Sequence, residues 1–151
     1  MNNKKPSSSG LLIAMEFYYS KALNFTIDFP DDWTAEENGN ILSVHDPVNG
    51  YGALQFSSYE VDNPESINLK EELDNYLSDR HKYFEVQDFS RYAFCKCDDE
   101  KGSQWQYWIF IKGNILLFAS YNSLKEDAGK EDSLIKAVID SAIKNAQMNP
   151  A

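Results

Sequence analysis

The chain has 151 residues, 42% apolar and 14% aromatic, with 14 Lys and Arg against 24 Asp and Glu and a net charge of −10. One domain of this length buries roughly two-thirds of its unfolded surface and needs neither a metal nor a disulfide staple. The charge repels phosphate backbones and anionic bilayers, which disfavours nucleic acid and membranes as partners, while a basic protein is attracted.

Residues 1–10 read as a disordered polar tail and residues 11–151 as one domain. Lys4 and Lys5 precede the apolar run Leu11 to Met15, which stops at Glu16. That run is shorter than the roughly 7–15 residues a secretory leader needs. Elsewhere no stretch approaches the roughly 18 apolar residues of a membrane span. A cytoplasmic protein is expected, with a removed secretory leader as the alternative. Leu11 to Ser20 fits a short helix or an edge strand. Phe25, Ile27 and Phe29 then alternate with Thr26 and Asp28, the pattern of a half-buried strand, and Pro30-Asp31-Asp32 ends it. Trp33 is expected to fold back over the core edge. Asn24-Phe25-Thr26 matches a glycosylation sequon, but its strand context leaves it without weight.

A turn over Glu37 to Asn40 leads to a strand at Ile41 to His45, and Asp46 to Gly50 is dense in turn formers. Tyr51 to Val61 reads as the next strand. Leu54 and Phe56 share one side, Tyr59 and Val61 the other, a pattern that invites a bulge or a frayed end. Asn68 can cap a helix, with Glu71 placed for a capping box. Leu69, Leu73, Tyr76, Leu77 and Phe84 recur at helical spacing, which predicts a helix to about Lys82. A strand is expected over Val86 to Cys97, then a turn at Asp98 to Gly102. Cys95 and Cys97 point the same way about 7 Å apart, too far and too parallel for an easy disulfide, and two thiols make a poor zinc site.

Gln104 to Asn122 is the most telling stretch. Gly113-Asn114 forms a favoured two-residue turn. The register then sets Trp108 opposite Ala119, Ile109 opposite Phe118 and Phe110 opposite Leu117. Trp105, Tyr107, Ile109 and Ile111 share one face and Trp108 and Phe110 the other. A hairpin apolar on both faces needs cover on both. A last helix over Glu131 to Gln147 carries the stripe Leu134, Ile135, Val138, Ile139, Ala142 and Ile143. Two helices, each with one apolar stripe, satisfy a sheet with two apolar faces. The fold class is α+β, an antiparallel sheet sandwiched between helices.

The segment Phe25-Thr26-Ile27-Asp28-Phe29-Pro30-Asp31-Asp32-Trp33 resembles the opening of PsbP-like domains, F-x-hydrophobic-x-aromatic-P-x-x-W. That superfamily includes a photosystem II extrinsic subunit, a Ran-binding nuclear-import factor and bacterial domains of unknown function. The Asp46-Pro47 turn is similar to theirs, as is the order of a helix, three antiparallel strands and a closing helix. The resemblance spans about Leu23 to Gln147. It implies an α/β/α sandwich and a binding or accessory role rather than catalysis, and it carries over no functional residue.

Searching for chemistry yields little. His45 and its neighbour Asp46 face opposite ways on a strand, and His81 sits near a helix end without a catalytic partner. Nucleophile elbows, phosphate loops and zincin motifs are missing from the sequence. Asp31-Asp32 and Asp98-Asp99-Glu100 suit turns better than calcium. No catalytic, cofactor-binding or metal-ligating residue is assigned, and no cofactor is expected. The surplus of Trp and Tyr is the livelier signal, because these residues dominate binding hot spots. Trp33, Tyr51, Tyr92, Trp105 and Tyr107 are the candidates for a partner-binding surface. The expectation is a non-enzymatic protein-binding or accessory domain, with a homo-oligomer allowed. Alternatives are a small-ligand-binding or hydrolytic domain, which needs a pocket of Trp and Tyr with convergent carboxylates, and an immunity-type protein that neutralises a basic toxin.

Overall fold

The computed structural model describes residues 14–148, so the tail expected at 1–10 lies outside them. The central ribbon forms as the sequence demands. Strands β8 (Ser103–Lys112) and β9 (Ile115–Leu124) pair antiparallel with Trp108 opposite Ala119 and Phe110 opposite Leu117. Gly113 takes φ 59, the positive angle that a two-residue turn with glycine first requires. The other strands of the main sheet are β3 (Thr34–Asn38), β4 (Ile41–His45), β5 (Gly52–Glu60), β6 (Gln87–Asp88) and β7 (Ala93–Asp98). They build a seven-stranded antiparallel sheet in the order β3-β4-β5-β9-β8-β7-β6. A separate ribbon pairs β1 (Met15–Ser20) with β2 (Phe25–Pro30).

Because side chains alternate along each strand, the sheet feeds two cores. One face sends Leu42, Val44, Leu54, Phe56, Trp108, Phe110, Leu117 and Tyr121 against helix α2 (Asp132–Met148) and against Phe25, Ile27 and Phe29 of the ribbon. The other sends Ala93, Cys95, Cys97, Tyr107, Ile109 and Leu116 against helix α1 (Leu69–Leu77). One helix per face is what the two stripes required. The ribbon is an addition to that scheme. It lies beside α2 in the same layer, where Asn145 Nδ2 donates to the Thr26 carbonyl (2.9 Å) and Ser141 Oγ accepts from Asp28 N (3.2 Å).

Several boundaries differ from expectation for local reasons. Met15 to Ser20 is a strand, settling the helix-or-strand ambiguity; Leu11 to Ile13 lie outside the described residues. Thr34 to Asn38 is a strand that a polar, acidic composition concealed. Helix α1 stops at Leu77 instead of near Lys82. Ser78 Oγ donates to the Asn75 carbonyl (2.9 Å) and Arg80 Nη1 to that of Tyr76 (2.7 Å), so side chains satisfy the last turn. Asn68 does cap α1, its Oδ1 accepting from Glu71 N at 3.1 Å. The strand expected over Val86 to Cys97 is folded in two. Asp88 Oδ1 accepts from Ser90 N (2.9 Å), Ser90 adopts φ 74, and β6 turns back on β7. Strand β5 pairs with β9 without interruption from Gly52 to Glu60, so no bulge is needed and Tyr59 simply belongs to the α1 face. Cys95 and Cys97 are buried as free thiols.

Gly52 shows how tightly the α2 face is closed. A Cβ there would stand 2.3 Å from the Asn122 carbonyl and 2.7 Å from the Tyr121 ring. The Gly52 N–H donates to Glu131 Oε1 (3.2 Å), which also accepts from the Tyr121 hydroxyl at 2.6 Å. Glu131, only 5% exposed, is thus a buried carboxylate with two donors. Burial and this partner raise the Tyr121 phenol far above its ordinary range.

Candidate binding groove on the half-covered sheet face

Helix α1 has nine residues, and it lies over β7 and β8. Nine residues span about 14 Å, enough for about three strands of a sheet spaced near 4.8 Å. Past it, β4, β5 and β9 turn Ser43, Gln55, Ser57 and Ser120 outward, none of them buried. The Gln55 amide donates to Ser43 Oγ (3.2 Å) along this polar floor. A groove of about 1190 Å³ runs between the turn after α1 and the β7–β8 turn. A smaller hollow of about 170 Å³ continues it toward Ile41 and Tyr59, sharing Gln55, Tyr76, Tyr107 and Ser120 with the larger one.

An aromatic run crosses this face. Trp105 and Tyr107, two residues apart on β8, stack with centroids 5.7 Å apart and planes within 3°. Tyr76 of α1 meets Tyr107 edge-on at 6.1 Å and Phe118 of β9 at 4.6 Å. Tyr59 of β5 closes the run, perpendicular to Phe118 at 5.4 Å and itself 46% exposed. Arg80 lies over the Tyr76 ring, 3.9 Å from its centroid.

Polar groups fix the end of the run nearest the β7–β8 turn. The Trp105 indole donates to Asp99 Oδ2 (2.9 Å), while Asp99 Oδ1 accepts from Lys101 N (2.8 Å) and Ser103 N (2.9 Å). These bonds, the indole's first, hold the Asp99 carboxyl down to about 2. His81 stands edge-on to Trp105 and Tyr107, its Nε2 2.7 Å from the Tyr107 hydroxyl. Burial lowers the His81 pKa; the Asp99 charge opposes that shift and Arg80 adds to it. Burial raises the Tyr107 phenol well above its ordinary value. The Tyr107 hydroxyl and the His81 ring thus share one hydrogen bond.

Of the five aromatic candidates, only Trp105 and Tyr107 come together. Tyr107 is largely buried and Trp105 half-buried in the wall of the groove. Trp33, 6% exposed, belongs to the α2-face core, where it cannot meet a partner. Tyr51 lies exposed with Lys130 Nζ 4.8 Å from its ring centroid. Tyr92 stacks on Phe89 at 5.0 Å beside α2. Reading the sequence missed the contributions of Tyr59, Arg80, His81 and Phe118. The period-two alternation of β5 and β9 carries the signal for Tyr59 and Phe118, but only the β5–β9 register shows that they meet. Asp99 does serve its turn, and also anchors Trp105. Among the described residues no group of three His, Cys, Asp or Glu side chains is placed to hold a metal.

The sequence matches no family model and no curated protein. Solved structures do resemble it. Cyanobacterial PsbP (CyanoP) from Synechocystis sp. PCC 6803 superposes with TM-score 0.60 at 10% identity, over 92% of this chain and 96% of that one. The Ran-binding protein Mog1p of Saccharomyces cerevisiae gives TM-score 0.60 at 8% identity, over 89% and 95%. A protein of Bacteroides thetaiotaomicron VPI-5482 gives 0.58 at 15% identity over 83% of this chain, which spans 47% of that longer one. The fold is that of PsbP and Mog1p, an α+β sandwich around an antiparallel sheet.

Proposed function

We propose that this chain is a non-enzymatic protein-binding or accessory domain that receives a segment of a protein partner along the aromatic run of its α1 face. One observation carries the reading: α1 stops short of β4 and β5, and five consecutive rings from Trp105 to Tyr59 line the surface left open. Rings grouped in this way give rigid contact area at low entropic cost, and Gln55, Ser43, Ser57 and Ser120 offer hydrogen bonds beside them. The fold supports the reading in a general way, since Mog1p, which shares it, is a Ran-binding protein. A charge of −10 favours a basic partner and speeds its approach.

The test is affinity capture from the native host at several salt concentrations, with the wild type beside a Tyr59→Ser/Tyr76→Ser double variant checked for wild-type circular dichroism. A specific basic protein retained by the wild type and lost by the folded double variant is the expected result. Recovery of nothing at any salt, or equal retention by both proteins, would end the proposal.

A further inference from the structure

The α2 face has a hollow of its own, about 290 Å³, between α2 and the β6–β7 turn. Its size falls at the lower edge of ligand sites, which run about 300–1,000 Å³, so it fits a small head group. Four rings shape it. Phe94 and Trp108 form the floor, 5.3 Å apart and tilted 44°. Phe89 and Tyr92, stacked at 5.0 Å, rise from the turn as one wall. The opposite wall is α2, which contributes the charged Asp132, Lys136 and Asp140 and the apolar Ile135 and Ile139.

The polar groups converge unevenly. Lys136 Nζ pairs with Asp140 Oδ2 at 2.8 Å, and both side chains are mostly exposed at the rim. Asp132 takes part in none of the ion pairs among the described residues. Its one side-chain donor is Gln106 Nε2, at 3.3 Å. Gln106 is 7% exposed and stands on β8 two residues before Trp108, in the same row as the core residues Trp108 and Phe110. This buried amide holds the Asp132 carboxylate at the edge of the hollow that the rings also line.

Aromatic faces attract cations through their quadrupole, and a carboxylate without a cationic partner supplies the counter-charge. An anion would meet two carboxylates against one already paired ammonium. A neutral apolar ligand would gain contact with the rings, Ile135 and Ile139, but would bring Asp132 toward desolvation with no charge to offset it. We propose that this hollow binds an organic cation, an ammonium or guanidinium head group, with the four rings as its walls and Asp132 as its counter-ion. The same chemistry serves a free small amine or the lysine or arginine side chain of a partner. The proposal does not depend on the groove of the α1 face.

Titration of the isotopically labelled full chain, followed by NMR, tests it. The probes are choline, its neutral carbon isostere 3,3-dimethylbutan-1-ol, agmatine and a short alanine peptide with one central lysine. Choline or agmatine should shift the Trp108 indole and Gln106 side-chain amide signals in the millimolar range, with the isostere weaker by about tenfold. Asp132→Asn should weaken the cation by a similar factor and Asp140→Asn should change it little. If Asp132→Asn fails to fold, the contrast between choline and its isostere on the wild type still decides. Tighter binding of the peptide assigns the site to a partner's side chain, and tighter binding of the free cations assigns it to a small molecule. Isostere and cation binding alike, shifts confined to other residues, or no shift up to saturating probe would overturn the proposal.

Discussion

Ile109 and Phe110 are neighbours on one strand, yet they enter different parts of the molecule. Phe110 joins the α2-face core, closed by a 17-residue helix and the β1–β2 ribbon together. Ile109 joins the α1-face core, closed by a nine-residue helix that ends before the sheet does. An isolated helix that short is not stable in water, so α1 stays helical because its stripe is docked. The comparison shows a division of labour across one sheet. The α2 face is thickly covered and buries the larger set of apolar side chains. The α1 face is thinly covered and leaves part of the aromatic run and the polar floor of β4, β5 and β9 open.

The sharpest way to break this comparison is to truncate both faces. Phe110→Ala removes a fully buried ring from the thick core and should cost about 3–5 kcal/mol, while Ile109→Val on the thin side should cost about 0.5–1.5 kcal/mol. Ile109→Ala and Leu117→Ala remove side chains of equal size, both fully buried, from the thin and the thick face; urea unfolding should find Ile109→Ala the less damaging, and the reverse order would refute the division. Next comes Tyr121→Phe, which leaves the buried Glu131 carboxylate with the Gly52 N–H as its remaining donor of the pair. A loss of about 1–3 kcal/mol is expected, read from the same denaturation curves.

On the thin side, Tyr107→Phe removes one partly exposed hydrogen bond to His81 and should cost about 0.5–1.5 kcal/mol. The histidine gives this a pH signature. Its folded pKa is lowered, so the unfolded chain takes up the proton first; the contribution is present above about pH 6.5 and is lost as pH falls through the folded value. Wild type should therefore lose stability relative to His81→Gln below that pH, and parallel pH profiles would contradict the assignment. The smallest effect is expected where the ribbon meets β3. The Tyr18 hydroxyl donates to Glu37, which also accepts from Ala22 N (2.9 Å) and Ser20 Oγ (3.2 Å). That bond, with burial, raises the Tyr18 phenol to about 12. A raised pKa means that the unfolded chain ionises first, so wild type should lose stability relative to Tyr18→Phe only as pH climbs from about 10 toward the folded value. Thermal melts across that range will show it.

Much of the thick face was legible in advance. The glycine turn and alternating pattern from Gln104 to Asn122 determine register, faces and the need for double cover, because period and turn chemistry are local properties. The opening Phe25 to Trp33 pointed to the right fold. Less visible was whatever depends on side chains replacing backbone bonds. Ser78 and Arg80 end α1 early, and Asp88 with Ser90 splits one strand into β6 and β7. Both choices rest on polar residues that periodicity ignores. Strand β3 was hidden because an edge strand with Glu36 and Glu37 buries too little to show alternation. The groove was only half visible. Trp105 and Tyr107 could be paired from spacing alone, while Tyr59 and Phe118 join them only through the strand order β5-β9-β8 and Tyr76 only through the docking of α1, which a single sequence does not spell out.

The thiols beneath α1 have a practical consequence. Burial raises Cys95, and it raises Cys97 to about 12, so neither is nucleophilic while the helix is seated. Were α1 to lift off β7, both sulfurs would regain ordinary acidity and open to alkylation. Maleimide labelling under native conditions therefore tests whether this short helix detaches at all, and a ligand in the neighbouring groove that holds it down would slow that chemical clock.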